Sequence, residues 1–542
     1  MHKRPRALLS SRIAIFAILF FAGLASASAA EADGPDGAGY PQQEFVFNVS
    51  SSFPDLRPHR AYNADEAQIL TALSEGLFVY DPYNLDPVPA LAESWSVSKD
   101  GCEWTFRIRG DAFFENGDKI TAAVIRDSWL SLLDPALSAP YASLLDPIVG
   151  VAAYRAGDGV RKDVGIQAVD ATTLKVTLTA PTEHLPKILC HHAFAAVHPS
   201  QLADAKKARA PSGYRPISSG PFVVKESSPD EIVFAPNARY WDRANVLLPS
   251  LRCRIGKDAR ELTELFNWGK IHWLAGAVLV DRVSDPSCIR VTPLFSTEYF
   301  FFRTTWGPWA RREVRQALLL AIPWKELRDG HLIPATTLVF PIAGYPKLDG
   351  IATEDAAKAR ELLAQAGFAD PASAPELVIR VPDAEAFKKM TDVLERAWGA
   401  LGFRVRVEAV AQGEYYGNLR TDDYTLGITS WIGDFADPLS FLEMFRPSSS
   451  LNDSGWSNAE YEKLIASAGE ARGEERYSRL ADAERVLLDD GVILPVAHNP
   501  SLNVIDTNGI SGWYANALDI HPFKFIRFSP RKALPGVALA GL

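Results

Sequence analysis

ELVIRVPDAEAFKKMTDVLERAWGALGFRVRVEAV occupies residues 376–410. It reads as a strand (376–382), a helix (386–403) and a second strand (404–410). A helix between two strands is the connection that parallel neighbours require, so the stretch predicts a parallel α/β unit. Working outward, EDAAKARELLAQAGF (354–368) reads as an amphipathic helix with Gly367 as its stop signal. RREVRQALLLAI (311–322) sets Val314, Ala317, Leu318 and Ala321 on one helical face, and Pro323 ends it. EYEKLIASA (460–468) and EERYSRLADAERVLLDD (474–490) add two more helices. In the N-terminal half, EWTFRIR (103–109) and TTLKVTLTAP (172–181) alternate apolar and polar side chains, as half-buried strands do. No internal repeat and no low-complexity block interrupts this alternation of strands and helices.

A chain of 542 residues is too long for one core and implies two to four domains, or one large split domain. Hydrophobic content of 47% with 23% charged residues is that of a folded soluble protein. The net charge of −10 leaves no basic footprint for nucleic acid. MHKRPR, then the apolar IAIFAILFFAGL (13–24), then ASASAA (25–30) is the layout of a cleavable secretory signal over residues 1–30. The apolar core is too short to span a bilayer of ~30 Å. No cysteine stands at the cleavage region, so no lipid anchor is expected. Removing the signal takes away Lys3, Arg4, Arg6 and Arg12 and no acid, which lowers the charge by four, to −14. The expected product is an exported, acidic, soluble protein. Its four cysteines do not make a disulfide scaffold, and Cys253 with Cys288 is the pair to check.

Catalytic signatures are missing: there is no GxSxG, HExxH, P-loop or GxGxxG. His191 and His192 follow Cys190, with His198 nearby, but no ligand spacing supports a metal, and a partly buried connector is the simpler reading. No cofactor and no metal is expected. The aromatic residues carry more information, because several stand beside Gly, Pro or Asp in loop-like contexts: Tyr141, Tyr415, Tyr416, Trp431, Trp456 and Trp513. Such residues suit a pocket with an apolar body and a few polar handles. WIGDFADP (431–438) sets two acids, Asp434 and Asp437, in apolar company. A catalytic acid, a metal ligand, a ligand counter-ion and a plain turn all fit that pattern.

PALAESWSVSKDGCEWTFRIRGDAFFENGDKITAAVIRDSW (89–129) resembles the signature region of the family 5 extracellular solute-binding proteins, the oligopeptide- and dipeptide-binding receptors of ABC importers. Its elements run in the family's order: P-x-L-A-E-S-W, S-x-D-G-x-x-W-T-F, R-x-x-x-F-x-x-G-x-x-x-T-A, S-W. SAPYASLL (138–145) is similar to the oligopeptide receptors in particular. SSGPFVVKE (218–226) and NARYWDR (237–243) resemble the G-P-[FY] strand and the N-x-x-Y-W element. NWGKIHW (267–273) resembles the G-x-I-D step, with His272 where an acid is usual. WIGDFADP resembles the W-x-x-D-[YF]-x-D-P motif. The resemblance covers nearly the whole mature chain. It implies an α/β, two-lobed periplasmic binding protein (type II, cluster C) with an extra small domain and a two-strand hinge. On this chain, 31–74, 196–295 and 496–542 would form a discontinuous lobe I. Residues 75–195 would form the small domain packed on it, and 296–495 lobe II. The strands near 291–295 and 493–498 would be the two crossings.

The resemblance also implies the role: a periplasmic receptor that captures short peptides between its lobes and delivers them to an ABC permease and its ATPase. A monomer without enzymatic activity is expected. The same fold also admits a non-peptide solute (a nickel chelate, haem or a glycoside) or a non-transport peptide sensor or chaperone. A peptide's α-ammonium needs an anion, and Asp434 is the family-matched position for it. Asp437, beside Pro438, is expected to fix the turn by an Asx-type bond. Trp431 and Tyr415 are expected as pocket walls. Arg420, in GNLRTDDY (417–424), approximately matches an arginine of oligopeptide receptors and is expected to bond a peptide carbonyl or C-terminal carboxylate. Two departures stand out. Ile428 replaces an arginine that binds the ligand carboxylate in some relatives, and Ile432 replaces a bridging cysteine.

Overall fold

The computed structural model describes residues 44–530, apart from 50–52, 208–209, 211–212, 257, 277 and 421–422. The secretory segment 1–30 lies outside the described residues. Among them, no helix is long and apolar enough to cross a membrane.

The opening stretch folds as its periodicity requires. Strand Leu377–Pro382 pairs in parallel with Val405–Val410 over all six residues. The crossover is helix Glu385–Leu401, which buries Met390, Val393, Leu394, Trp398 and Leu401 against the sheet. Gly402 closes it at φ 105°, a left-handed turn that costs a residue with a Cβ more than glycine. These strands form the edge of a five-stranded sheet in the order Val405–Val410, Leu377–Pro382, Leu426–Ile432, Ser296–Phe302, Ile493–Ala497. Helix Arg312–Leu320 belongs to the same lobe, with Val314, Ala317 and Leu318 fully buried.

A seven-stranded sheet builds the other lobe from three distant parts of the chain. Its order is Ile289–Pro293, Pro500–Ile505, Trp273–Ala275, Glu44–Val49, Ser250–Ile255, Glu231–Pro236, Phe222–Ser227. Glu44–Val49 is central, parallel to both neighbours and buried at every residue. That explains why Phe45, Val46 and Phe47 are apolar in succession in place of alternating. A third, antiparallel sheet joins Ala92–Val97, Glu103–Ile108, Thr173–Thr177 and Ile166–Ala168. Here alternation holds: Trp104, Phe106, Ile108, Leu174 and Val176 point inward, while Thr105, Arg107 and Lys175 do not.

All five strands of the second lobe lie within 296–497, so the chain passes between it and the rest of the protein at two places, 294–295 and 498–499. The crossings are tied to each other: the Ser296 hydroxyl donates to the Asn499 carbonyl at 2.9 Å. His498 Nδ1 stands 3.0 Å from the Thr297 hydroxyl and 3.1 Å from the Ser296 carbonyl.

All four cysteines are free thiols. Cys253 and Cys288 sit in separate buried clusters, so the pair singled out in the sequence is not bridged. Both act as small apolar side chains.

Candidate ligand-binding cavity

Between the lobes lies a cavity of about 270 Å³. Its walls come from distant parts of the chain: Tyr62, Tyr141, His191, Trp431, Asp434 and Asp519 among others. Strand Leu426–Ile432 runs to the cavity and ends at Gly433, whose N–H donates to the Phe295 carbonyl in the first crossing at 2.8 Å. A Cβ at Gly433 would come within 2.6 Å of both the Phe295 ring and the Ser440 hydroxyl. Only glycine allows the strand to pass this close to the hinge, and the passage delivers Asp434 to the cavity wall.

Asp434 is nearly enclosed, its side chain 5% exposed. Its backbone carbonyl accepts a 2.8 Å bond from the Tyr80 hydroxyl. Oδ1 stands 3.8 Å from His191 Nε2, and no described residue donates a hydrogen bond to Oδ2. Burial pushes the Asp434 carboxyl well above the usual carboxylate range. Burial, with His192 adding to it, holds His191 well below its ordinary value. An ion pair would lower the acid and raise the imidazole, and both shifts run the other way, so His191 does not serve Asp434 as an internal cation.

Aromatic rings surround it. Tyr62 and Tyr141 stack at 6.3 Å, and Trp431 stands 6.2 Å from Tyr62 and 6.4 Å from Tyr141. The Trp431 indole N–H donates to the Ser440 carbonyl at 3.2 Å, which fixes the ring. His191 lies against Tyr141 at 4.2 Å and against His192 at 4.1 Å.

Asp437 has a different environment three residues on. Burial alone would raise its pKa, but the Arg476 fork outweighs it and holds the group below its ordinary value. Arg476 donates to both carboxylate oxygens, at 2.7 and 2.8 Å. Oδ1 also accepts from the Leu439 N–H at 3.0 Å, the expected Asx-type bond. Arg476, on helix Gly473–Asp489, is the partner the sequence did not disclose.

The four expected site residues separate into two pairs. Asp434 and Trp431 line the cavity. Tyr415 does not: it is fully buried behind the strand, with its hydroxyl bonded at 2.6 Å to both the carbonyl and the N–H of Ile428. On the short helix Gln412–Gly417 adjacent side chains diverge, and Tyr416 is the one that reaches the cavity. Arg420 is also outside the lining: it is exposed, and its Nε donates to Asp453 at 2.8 Å. Trp456 and Trp513 are core residues. His272 is structural as well, stacked on Phe45 and accepting from the Val46 N–H. Among the described residues no group of three or more His, Cys, Asp or Glu is placed to hold a metal. Tyr62 and Asp519 were not singled out in the sequence, where each is one polar residue in an ordinary loop.

Two lobes joined by two adjacent crossings, with a walled cavity between them, define a two-lobed binding protein. The chain belongs to the bacterial extracellular solute-binding proteins, family 5, whose model (family 5 Middle) matches residues 86–453. This is a family of binding proteins. The chain is 29% identical to the dipeptide-binding protein DppE of Bacillus subtilis over 458 residues, 81% of this chain and 83% of that one. Its fold superposes on the murein tripeptide-binding protein MppA of Escherichia coli with a TM-score of 0.79 at 25% identity, covering 90% and 98% of the two chains. Against the unliganded open form of MppA the score is 0.62 over 90% and 97%, again at 25% identity. The lobe arrangement here therefore departs from that open form.

Proposed function

We propose that this chain is the periplasmic receptor of an ABC importer. It captures short peptides between its lobes and delivers them to a permease and its ATPase. Asp434 carries the reading: a carboxylate in the interlobe wall, nearly enclosed, with one oxygen that no described residue bonds. An incoming α-ammonium supplies both the charge and the hydrogen bonds that Asp434 lacks. Trp431, Tyr62, Tyr141 and Tyr416 give the ligand apolar surface. A volume of about 270 Å³ is at the lower edge of small-molecule pockets, roughly 300–1,000 Å³, and favours a ligand of few residues.

In this reading residues 1–30 are a cleaved signal. Residues 31–74, 196–295 and 496–542 form the lobe of the seven-stranded sheet, 75–195 the small domain and 296–495 the closing lobe. The receptor works as a monomer and catalyses nothing. Arg420 has no place in the proposed site, since it is turned to Asp453.

Isothermal titration calorimetry tests the reading with matched short peptides carrying free or acetylated N-termini. Acetylation and Asp434→Ala are each expected to weaken binding by about 2–5 kcal/mol, as for one partner of a buried charge pair. Equal binding of acetylated and free peptides would remove Asp434 from its role.

A further inference from the structure

The charge of the cavity wall narrows the ligand further. Three carboxylates line it, Glu75, Asp434 and Asp519, and among the described lining residues there is no lysine or arginine. Glu75 is already matched. It accepts from the Tyr240 hydroxyl at 2.8 Å and the Trp241 indole at 3.3 Å, and the Lys524 ammonium stands 3.6 Å away. Two acids remain to face the ligand. Asp434 is one. Asp519 bonds Asn503 and His521 through Oδ1, at 2.8 and 3.1 Å, and no described residue donates to Oδ2. Its backbone holds φ 51°, in the left-handed region, and its side chain is one-quarter exposed. The lining imidazoles His191 and His192 are both kept neutral by burial. Ile428, on the strand that leads to Asp434, is buried in the sheet and absent from the wall.

A zwitterionic ligand held wholly inside would bring a carboxylate to a wall that lines it with acids and offers it no cation. We propose that the cavity selects a doubly cationic ligand that brings no free carboxylate inside. One ammonium meets Asp434 and a second positive group meets Asp519. A basic dipeptide with an amidated C-terminus and an aliphatic diamine share this chemistry. The proposal rests on the reading of Asp434 as the ammonium partner and adds Asp519 and the missing cation to it.

Calorimetry on the full mature protein at neutral pH, with four probes, tests it: lysyl-alanine amide, lysyl-alanine, norleucyl-alanine amide and 1,5-diaminopentane. The lysyl amide is expected to bind at least about tenfold more tightly than the free acid and than the norleucyl amide. Asp519→Asn is expected to bring the lysyl and norleucyl amides within about threefold of each other. If the free acid binds as tightly as the amide, the proposal is overturned while the peptide reading survives. If the diamine binds and no peptide does, the dication proposal stands and the peptide reading fails. If no probe binds, both fail. A folded Asp519→Asn protein that keeps the lysine preference overturns the role of Asp519. Should that variant not fold, the four affinities of the unmodified protein still decide the charge rule.

Discussion

Two acids three residues apart show how environment decides what a carboxylate does. Asp437 is held ionised by the Arg476 fork and serves the fold. Asp434 has burial without compensation, and burial raises its pKa. The ligand-free protein should therefore carry a stability cost at this residue. The native Asp434 holds its proton over a pH window in which the unfolded chain has lost it. The window opens near the ordinary value of 3.8 and closes at the raised value. Stability falls as pH rises through it, because the native state then binds more protons than the unfolded state. Asp434→Asn removes that slope and is expected to stabilise the ligand-free protein by about 1–3 kcal/mol at pH 7, the scale of an unsatisfied buried group. Urea unfolding of both proteins between pH 4 and 8 would show it, and parallel pH curves would refute it. The variant should at the same time lose affinity for free amines. Asp434 was legible in the sequence because a local motif carries it. Composition does not distinguish Tyr415 from Tyr416, because one-residue rotation on a short helix leaves no trace in it, and the ring facing the cavity is Tyr416.

At the scale of elements, periodic patterning did most of the work. The strand–helix–strand of 376–410 and the alternating strands 103–108 and 173–177 follow from burial on one face or two. The turn after Gly433 is different: its stability depends on helix Gly473–Asp489, which brings Arg476 to Asp437 from a distance no local signal spans. Both side chains are largely buried, 12% and 6% exposed. Arg476→Ala leaves a buried carboxylate unpaired and should destabilise the protein by about 3–5 kcal/mol. Asp437→Asn added to it should recover part of that loss. Guanidinium unfolding of the two single variants and the double variant measures this, and additive losses would show that the two residues do not act as a pair.

For the molecule as a whole, the lobes meet beyond the hinge. Arg155 donates to Asp146 at 2.7 Å and to the Ser448 carbonyl at 3.0 Å, and the Ser450 hydroxyl donates to the Pro140 carbonyl at 2.6 Å. The last two of these bonds join Pro140 and Arg155 to Ser450 and Ser448, which stand on the two sides of the crossings, and the Asp146 contact holds the Arg155 side chain in place. Arg155→Ala should shift the ligand-free protein toward an open form and weaken ligand binding about fivefold, for a contact of about 1 kcal/mol. Small-angle scattering would register a larger radius of gyration without ligand and an unchanged one at saturation. An identical ligand-free profile would show that the contact does not bias closure.

The sequence by itself determined the α/β character, the order of the elements and the family, and it singled out Asp434 among the acids. These rest on local periodicity and on short motifs, which are properties of neighbours along the chain. Only the tertiary structure decided which walls face one another. It showed that Asp434 has no internal cation, that Asp437 has one, and that Asp519 shares the cavity while Arg420 does not. Cavity charge is a sum over residues brought together from 62 to 522 by sheet packing and two crossings. No window of sequence contains that sum, because burial and Coulomb energy depend on distance in space and not on distance along the chain.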